Sequence, residues 1–169
     1  MADIAEATGV AVGTLYNYFE SKEAVVIAIT EQNYARFQAD LERPFDSDEP
    51  LMQLQQLVGR AAEFVEQNGA LFNLYLQWQA SESSSGDGRS HIIRDAAHQR
   101  FASLMTDLVD RAVQAGTIRR DIPVARLVWV LLAMLEVALL DWWRQPGRLS
   151  CKSRAEQIVA VFLEGVLLR

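Results

Sequence analysis

Apolar residues recur at spacings of three and four along most of the chain, and sustained period-two alternation is absent, so the pattern predicts an all-α fold. Ile4, Ala5 and Thr8 share one face of a short helix that Gly9 can end in a left-handed turn, and a second short helix fits Val12 to Phe19. Ser21 is a good N-cap for a long helix from Lys22 to about Leu41, with Val26, Ile29, Phe37 and Leu41 as its buried stripe. Ser47 or Asp48 can cap the next, where Leu51, Leu54, Val58, Ala61 and Val65 recur before Gly69 ends it. Leu71, Leu74, Tyr75 and Trp78 repeat the pattern, and the Ser- and Gly-rich stretch from Ser81 to Ser90 reads as a mobile loop.

Ser90 can cap a long helix carrying Ala97, Phe101, Leu104, Met105, Leu108 and Ala112, which Gly116 stops. Asp121 and Pro123 open another, apolar nearly all round from Leu127 to Leu140, and such a helix needs cover on more than one side. After the Pro146-Gly147 break, Ser153-Arg154-Ala155-Glu156 has the form of a capping box for a last helix bearing Ile158, Val161, Phe162, Val166, Leu167 and Leu168. The expected units are a helix-turn-helix module with its connecting helix at 1–40 and a helical bundle at 48–169.

Composition refines this picture. The 169 residues are half hydrophobic and poor in Gly and Pro, as in a compact ordered chain. The net charge of −6 is not that of a protein that coats nucleic acid, so any DNA contact must be local and geometrically specific. Cys151 is the only cysteine, which excludes an intrachain disulfide and fits a reducing cytoplasm. No secretory signal is seen, and the apolar run ending at Leu140 is broken by Glu136 and too short for a bilayer, so no membrane association is expected.

The second short helix holds the most distinctive chemistry. Leu15 and Phe19, four apart, should point inward with Ile4 and Val10, leaving Thr14, Tyr16, Asn17 and Tyr18 outside. Hydroxyls and an amide suit phosphate oxygens and base edges, and Lys22 adds a positive charge just beyond. On residue types alone, an ordinary surface helix with scattered aromatics reads the same way.

The run Ile-Ala-Glu-Ala-Thr-Gly-Val-Ala-Val-Gly-Thr-Leu-Tyr-Asn-Tyr-Phe-Glu-Ser-Lys-Glu-Ala-Val from Ile4 resembles the DNA-binding signature of the TetR family of bacterial transcriptional regulators. The resemblance is strongest in Gly13-Thr14-Leu15-Tyr16, Tyr18-Phe19 and Ser21-Lys22-Glu23, and covers about the first 26 residues. It implies an all-α homodimer that represses transcription until a small molecule binds. It further implies that Thr14, Tyr16 and Tyr18 contact operator phosphates, that Gly13 and Asn17 lie near base edges, that Lys22 clamps a phosphate, and that Leu15 and Phe19 are structural. Two departures stand out. Ala11 occupies the position where the family often has a capping Ser or Thr. The family also carries one more helix ahead of this motif, so the module is expected to be incomplete here, with Ile4, Leu15 and Phe19 partly exposed. Acidic residues also prevail in it, Asp3, Glu6, Glu20 and Glu23 against Lys22, so one copy should bind DNA weakly and two copies one groove apart are needed.

Several large apolar groups remain. Core filling accounts for each of Phe64, Phe72, Tyr75 and Trp78 singly, and likewise for Phe101, Met105, Leu108, Trp129 and Leu132. As a group inside a TetR-like bundle they are the expected lining of an inducer pocket, with Gln79 or Glu136 as polar handles and a mostly apolar or aromatic ligand. The last two helices carry apolar surface beyond what one bundle hides, Leu131, Leu135 and Leu139 on one and Val161, Gly165 and Leu168 on the other, which predicts a dimer interface. His91, Asp95 and His98 fall on one helix face, but their position beside a loop reads as a solvated face, and no metal or cofactor is expected. No enzyme motif is found. The sequence thus points to a ligand-responsive dimeric regulator at a pseudo-palindromic operator. The alternative is a dimeric small-molecule-binding or interaction protein whose DNA module is vestigial.

Overall fold

The computed structural model describes residues 1–69, 88–145, 147 and 149–167, with side chains described up to 69 and again from 96. Among the described residues the chain forms seven helices: α1 (Ala2–Thr8), α2 (Val12–Tyr18), α3 (Lys22–Leu41), α4 (Pro50–Gln67), α5 (Gly88–Gln114), α6 (Val124–Arg144) and α7 (Cys151–Val166). The only β feature among them is an isolated bridge between Ile118 and Leu167. The fold is all-α, as the periodicity predicts.

Local chemistry sets the helix ends. Gly9 closes α1 at φ 68°, a left-handed backbone that a Cβ disfavours, and Val10 N–H donates back to the Ala5 carbonyl at 3.1 Å. Ala11 leaves α2 without a side-chain cap, as expected, whereas Ser21 Oγ accepts from Ala24 N–H at 3.2 Å to start α3. Three of the expected starts move. Ser47 does not cap α4; its hydroxyl accepts from Glu49 N–H, and the helix begins only at Pro50, whose missing N–H costs nothing in a first turn. The expected box at Ser153 is not the cap of α7 either. Ser150 takes that role, accepting from Ser153 N–H at 3.0 Å, so Ser153 lies inside the first turn. Ser90 lies inside α5 rather than before it, since the chain is already helical at Gly88.

α4 packs between α5 and α7, α6 lies against α5 and α7, and α3 docks on α4 and α5. The core is continuous: Leu54, Leu57 and Val58 of α4 meet Met105, Leu108 and Val109 of α5, Leu127, Val128 and Leu131 of α6, and Val159 and Phe162 of α7. Leu41, at the end of α3, is sealed into the same core, so α3 runs from the N-terminal module into the bundle. The α5–α6 turn passes through Gly116 at φ 77° and is pinned to the end of α7, where Arg119 N–H donates to the Val166 carbonyl at 2.9 Å. Buried polar groups serve as ties. Gln53 bonds the Ser47 carbonyl and receives Arg111, and Arg154 binds the Asp141 carboxylate and the Gln145 carbonyl at the end of α6.

Candidate functional site

The N-terminal module is thinly packed. Ala5 and Val25 are its buried side chains, while Ile4, Leu15 and Phe19 are half-buried. That orientation still fixes which face of α2 looks outward: Gly13, Thr14, Tyr16, Asn17 and Tyr18 are all exposed, Tyr18 by 79%, and Lys22 is exposed at the start of α3. Among the described residues, none of the polar side chains of Thr14, Tyr16, Asn17 and Tyr18 has a hydrogen-bond partner, and Lys22 makes no salt bridge, though its charge acts on neighbouring Glu23. Gly13 is in ordinary helical backbone with nothing within 4 Å of where a Cβ would stand, so no neighbour inside the chain demands a glycine there. Next to this face Glu23 is held below the usual carboxylate range, chiefly by backbone hydrogen bonding and then by the Ser21 hydroxyl, so it stays ionised at neutral pH.

The far end of α3 meets the bundle through aromatic and ionic contacts. Phe37 sits 5.0 Å from the Phe64 ring and 6.5 Å from that of Phe101, which brings two of the expected pocket residues together across three helices. Arg100 of α5 donates two hydrogen bonds to Glu42, at 3.1 and 2.7 Å, just past the end of α3. Arg60 of α4 donates to the carbonyls of Arg43 and Pro44 and lies 4.8 Å over the Phe45 ring, which holds the α3–α4 connection. The sequence pattern marks none of Phe37's partners, Arg100 or Arg60 as a junction, because each pairing spans distant positions.

The remaining expected pocket residues divide. Met105 and Leu108 are buried in the core below this cluster, and Leu132 is packed against it. Trp129 is 63% exposed and Glu136 is exposed, so both stand on the outside of α6. Trp129 lies two residues from Leu127, about 200° around the helix, with the Arg126 guanidinium 5.9 Å from its ring. Phe72, Tyr75, Trp78 and Gln79 lie outside the described residues. Among the described residues no cluster of three His, Cys, Asp or Glu can hold a metal; His91 and Asp95 have side chains outside that set.

The outer faces of α6 and α7 form a third feature. Leu131, expected there, is instead fully enclosed in the chain's own core, and Leu135 and Leu139 are half-buried against the same core. The i, i+4 stripe they form is the inner one. The outward apolar surface consists of Trp129, Val130 and Val137 on α6 and Val161 on α7, with Val137 66% and Val161 59% exposed. Gly165 lies on that surface with open space around it, and Leu168 is outside the described residues.

Residues 1–29 match the family model of bacterial regulatory proteins of the tetR family, and residues 47–166 match that of the tetracyclin repressor-like C-terminal domain. The chain belongs to the TetR family. Its relatives include the HTH-type transcriptional repressor KstR2 of Mycobacterium tuberculosis, 27% identical over 168 residues that cover 97% of this chain and 80% of the relative. Among solved structures, the TetR-family regulator PfmR from Thermus thermophilus superposes with a TM-score of 0.79 at 23% identity, covering 96% of this chain and 86% of that one. FadR from Bacillus subtilis, crystallised with stearoyl-CoA, gives 0.68 at 17% identity, covering 97% and 87%. The TetR family is one of regulators rather than enzymes, and no described helix here is long and apolar enough to cross a membrane.

Proposed function

We propose that this TetR-family chain is a ligand-responsive repressor that binds a pseudo-palindromic operator as a homodimer and leaves it when a small, mostly apolar ligand enters the bundle. The observation that carries this reading is the outer face of α2, where hydroxyls, an amide and a glycine stand exposed without partners among the described residues. Residues 1–40 serve as the DNA-binding module, and 48–169 bind ligand and dimerise. Thr14, Tyr16 and Tyr18 meet phosphates, Gly13 and Asn17 approach base edges, and Lys22 anchors the helix end. Pairing of two copies through the outer faces of α6 and α7 covers Trp129, Val137 and Val161, and gives the module the second contact that its acidity makes necessary. Such a regulator works beside the chromosome, in the cytoplasm.

The ligand reading rests on the junction of Phe37, Phe64 and Phe101, where α3 enters the bundle. Repacking there moves α3, and a coupling of about 1–3 kcal/mol suffices to release DNA. The relatives suggest the first probes: KstR2 is described as a ketosteroid transcriptional regulator, and FadR was crystallised with stearoyl-CoA. The acidity of the module favours one second reading, a dimeric ligand-binding or interaction protein with a vestigial DNA module.

A titration of the full-length protein on the DNA upstream of its own gene, with and without stearoyl-CoA or a ketosteroid, separates the two. Sequence-specific retention that weakens with a probe supports the repressor. Probe binding without any specific retention of DNA supports the vestigial module.

A further inference from the structure

The exposed face of α2 has a crest and two flanks. At about 100° per residue, Leu15 marks the half-buried side, which Phe19 continues just past the helix end, and Asn17 stands about 200° around from Leu15, roughly opposite it. Gly13 lies one turn earlier on the same line and contributes no side chain, while Tyr16 and Tyr18 stand to either side. A helix laid in a major groove sets its crest against base edges and its flanks against the phosphate walls. Asn17 therefore has the deepest reach of any side chain on α2, and Gly13 lets the backbone follow it in.

Charge narrows what that crest can read. Neither α1 nor α2 carries a Lys or Arg, and Lys22 lies beyond the end of α2. Guanine presents two acceptors in the major groove and is read best by a cationic fork; adenine presents one acceptor, N7, and one donor, the N6 amine. A carboxamide matches the second pattern, its NH₂ donating to N7 and its oxygen accepting from N6. The Asn17 amide has no partner among the described residues, so no described neighbour competes for it.

We propose that Asn17 is the base-reading residue of this chain and that it reads adenine at one fixed position in each half-site. The proposal rests on the operator-binding reading above, and it names the base that reading leaves open. Tyr16 and Tyr18 set the depth of the helix through phosphates, a contribution equal for all sequences.

The test is selection of duplexes from a randomised pool by the full-length protein, followed by anisotropy titration of the enriched half-site pair carrying each base, or 7-deaza-adenine, at each position. An adenine should recur at one position and be preferred there by about 10- to 100-fold. Replacing it with 7-deaza-adenine, which lacks only the N7 acceptor, should remove much of that preference. Asn17→Ala, checked for native helicity, should flatten the preference at that position alone, and Asn17→Arg should move it toward guanine. Enriched sites without a fixed adenine, or an Asn17→Ala variant that weakens every sequence equally, overturn the proposal. A pool that never enriches defeats operator binding itself, and the adenine assignment with it.

Discussion

In the first turn of α2, Gly13 has ordinary helical backbone and open space where a Cβ would stand, yet glycine at a helical position costs about 0.5–1 kcal/mol relative to alanine. A residue that weakens the fold without an internal reason is suited to a close approach from outside. Gly13→Ala should therefore raise the stability of the N-terminal module by up to about 1 kcal/mol, read by native-state amide exchange, while lowering operator affinity. A gain in both would remove the case for close approach. Cys151 is the opposite kind of residue, enclosed and inert. Burial pushes its thiol up to about 12, with the Glu66 carboxylate adding to the effect. The folded chain then holds this proton more tightly than the unfolded chain, whose thiol titrates near 8.5. The contribution is complete below about pH 8.5 and is lost as pH rises toward 12. At pH 8 the native thiol should resist alkylation, and the urea midpoint of a Cys151→Ala variant should fall less steeply above pH 9 than that of the parent.

At the level of elements, helix identity was legible from periodicity, whereas helix starts were legible at Ser21 but not at α4, α5 or α7. α7 illustrates the difference: Ser153 and Glu156 have the spacing of a capping box, but Ser150 is three residues earlier, and its hydroxyl reaches the Ser153 N–H first. Ser150→Ala should cost about 1 kcal/mol of unfolding free energy, measured by chemical denaturation. Ser153→Ala, whose hydroxyl meets only Ser150 Oγ, should cost less; the reverse order would restore the box. α6 shows a second kind of ambiguity. A helix apolar on all sides gives periodicity nothing to separate, so the inner stripe of Leu131, Leu135 and Leu139 and the outer one of Trp129, Val130 and Val137 look alike in sequence. Only the packing of α5 and α7 against one side distinguishes them. α2 was easier to read, because Leu15 and Phe19 oppose a polar face and leave one orientation.

For the molecule as a whole, two separate faces complement each other in the proposed dimer. The α2 face is polar and lies in an acidic module, so a single copy gains little from counterion release. The α6 and α7 face is apolar and outward, surface that a second copy would cover in the proposed dimer. Between them runs α3, from the Ser21 cap at the DNA end to Leu41 in the core, with Phe37 and Glu42 gripped by α4 and α5. The long-range pairs of that junction, Arg100 with Glu42 and Arg60 with the Arg43 and Pro44 carbonyls, have no local sequence signal and emerge only from the fold. In the proposed dimer, pairing sets two α2 helices at a fixed spacing. The direct measurement is the affinity of the full-length protein for its selected pseudo-palindromic duplex, compared with the same duplex carrying about five extra base pairs between half-sites, half a helical turn. A rigidly spaced dimer should bind the lengthened duplex at least about tenfold more weakly, because one of its two contacts now faces the wrong side of the helix. Equal affinity for both duplexes would rule out a dimer of fixed spacing.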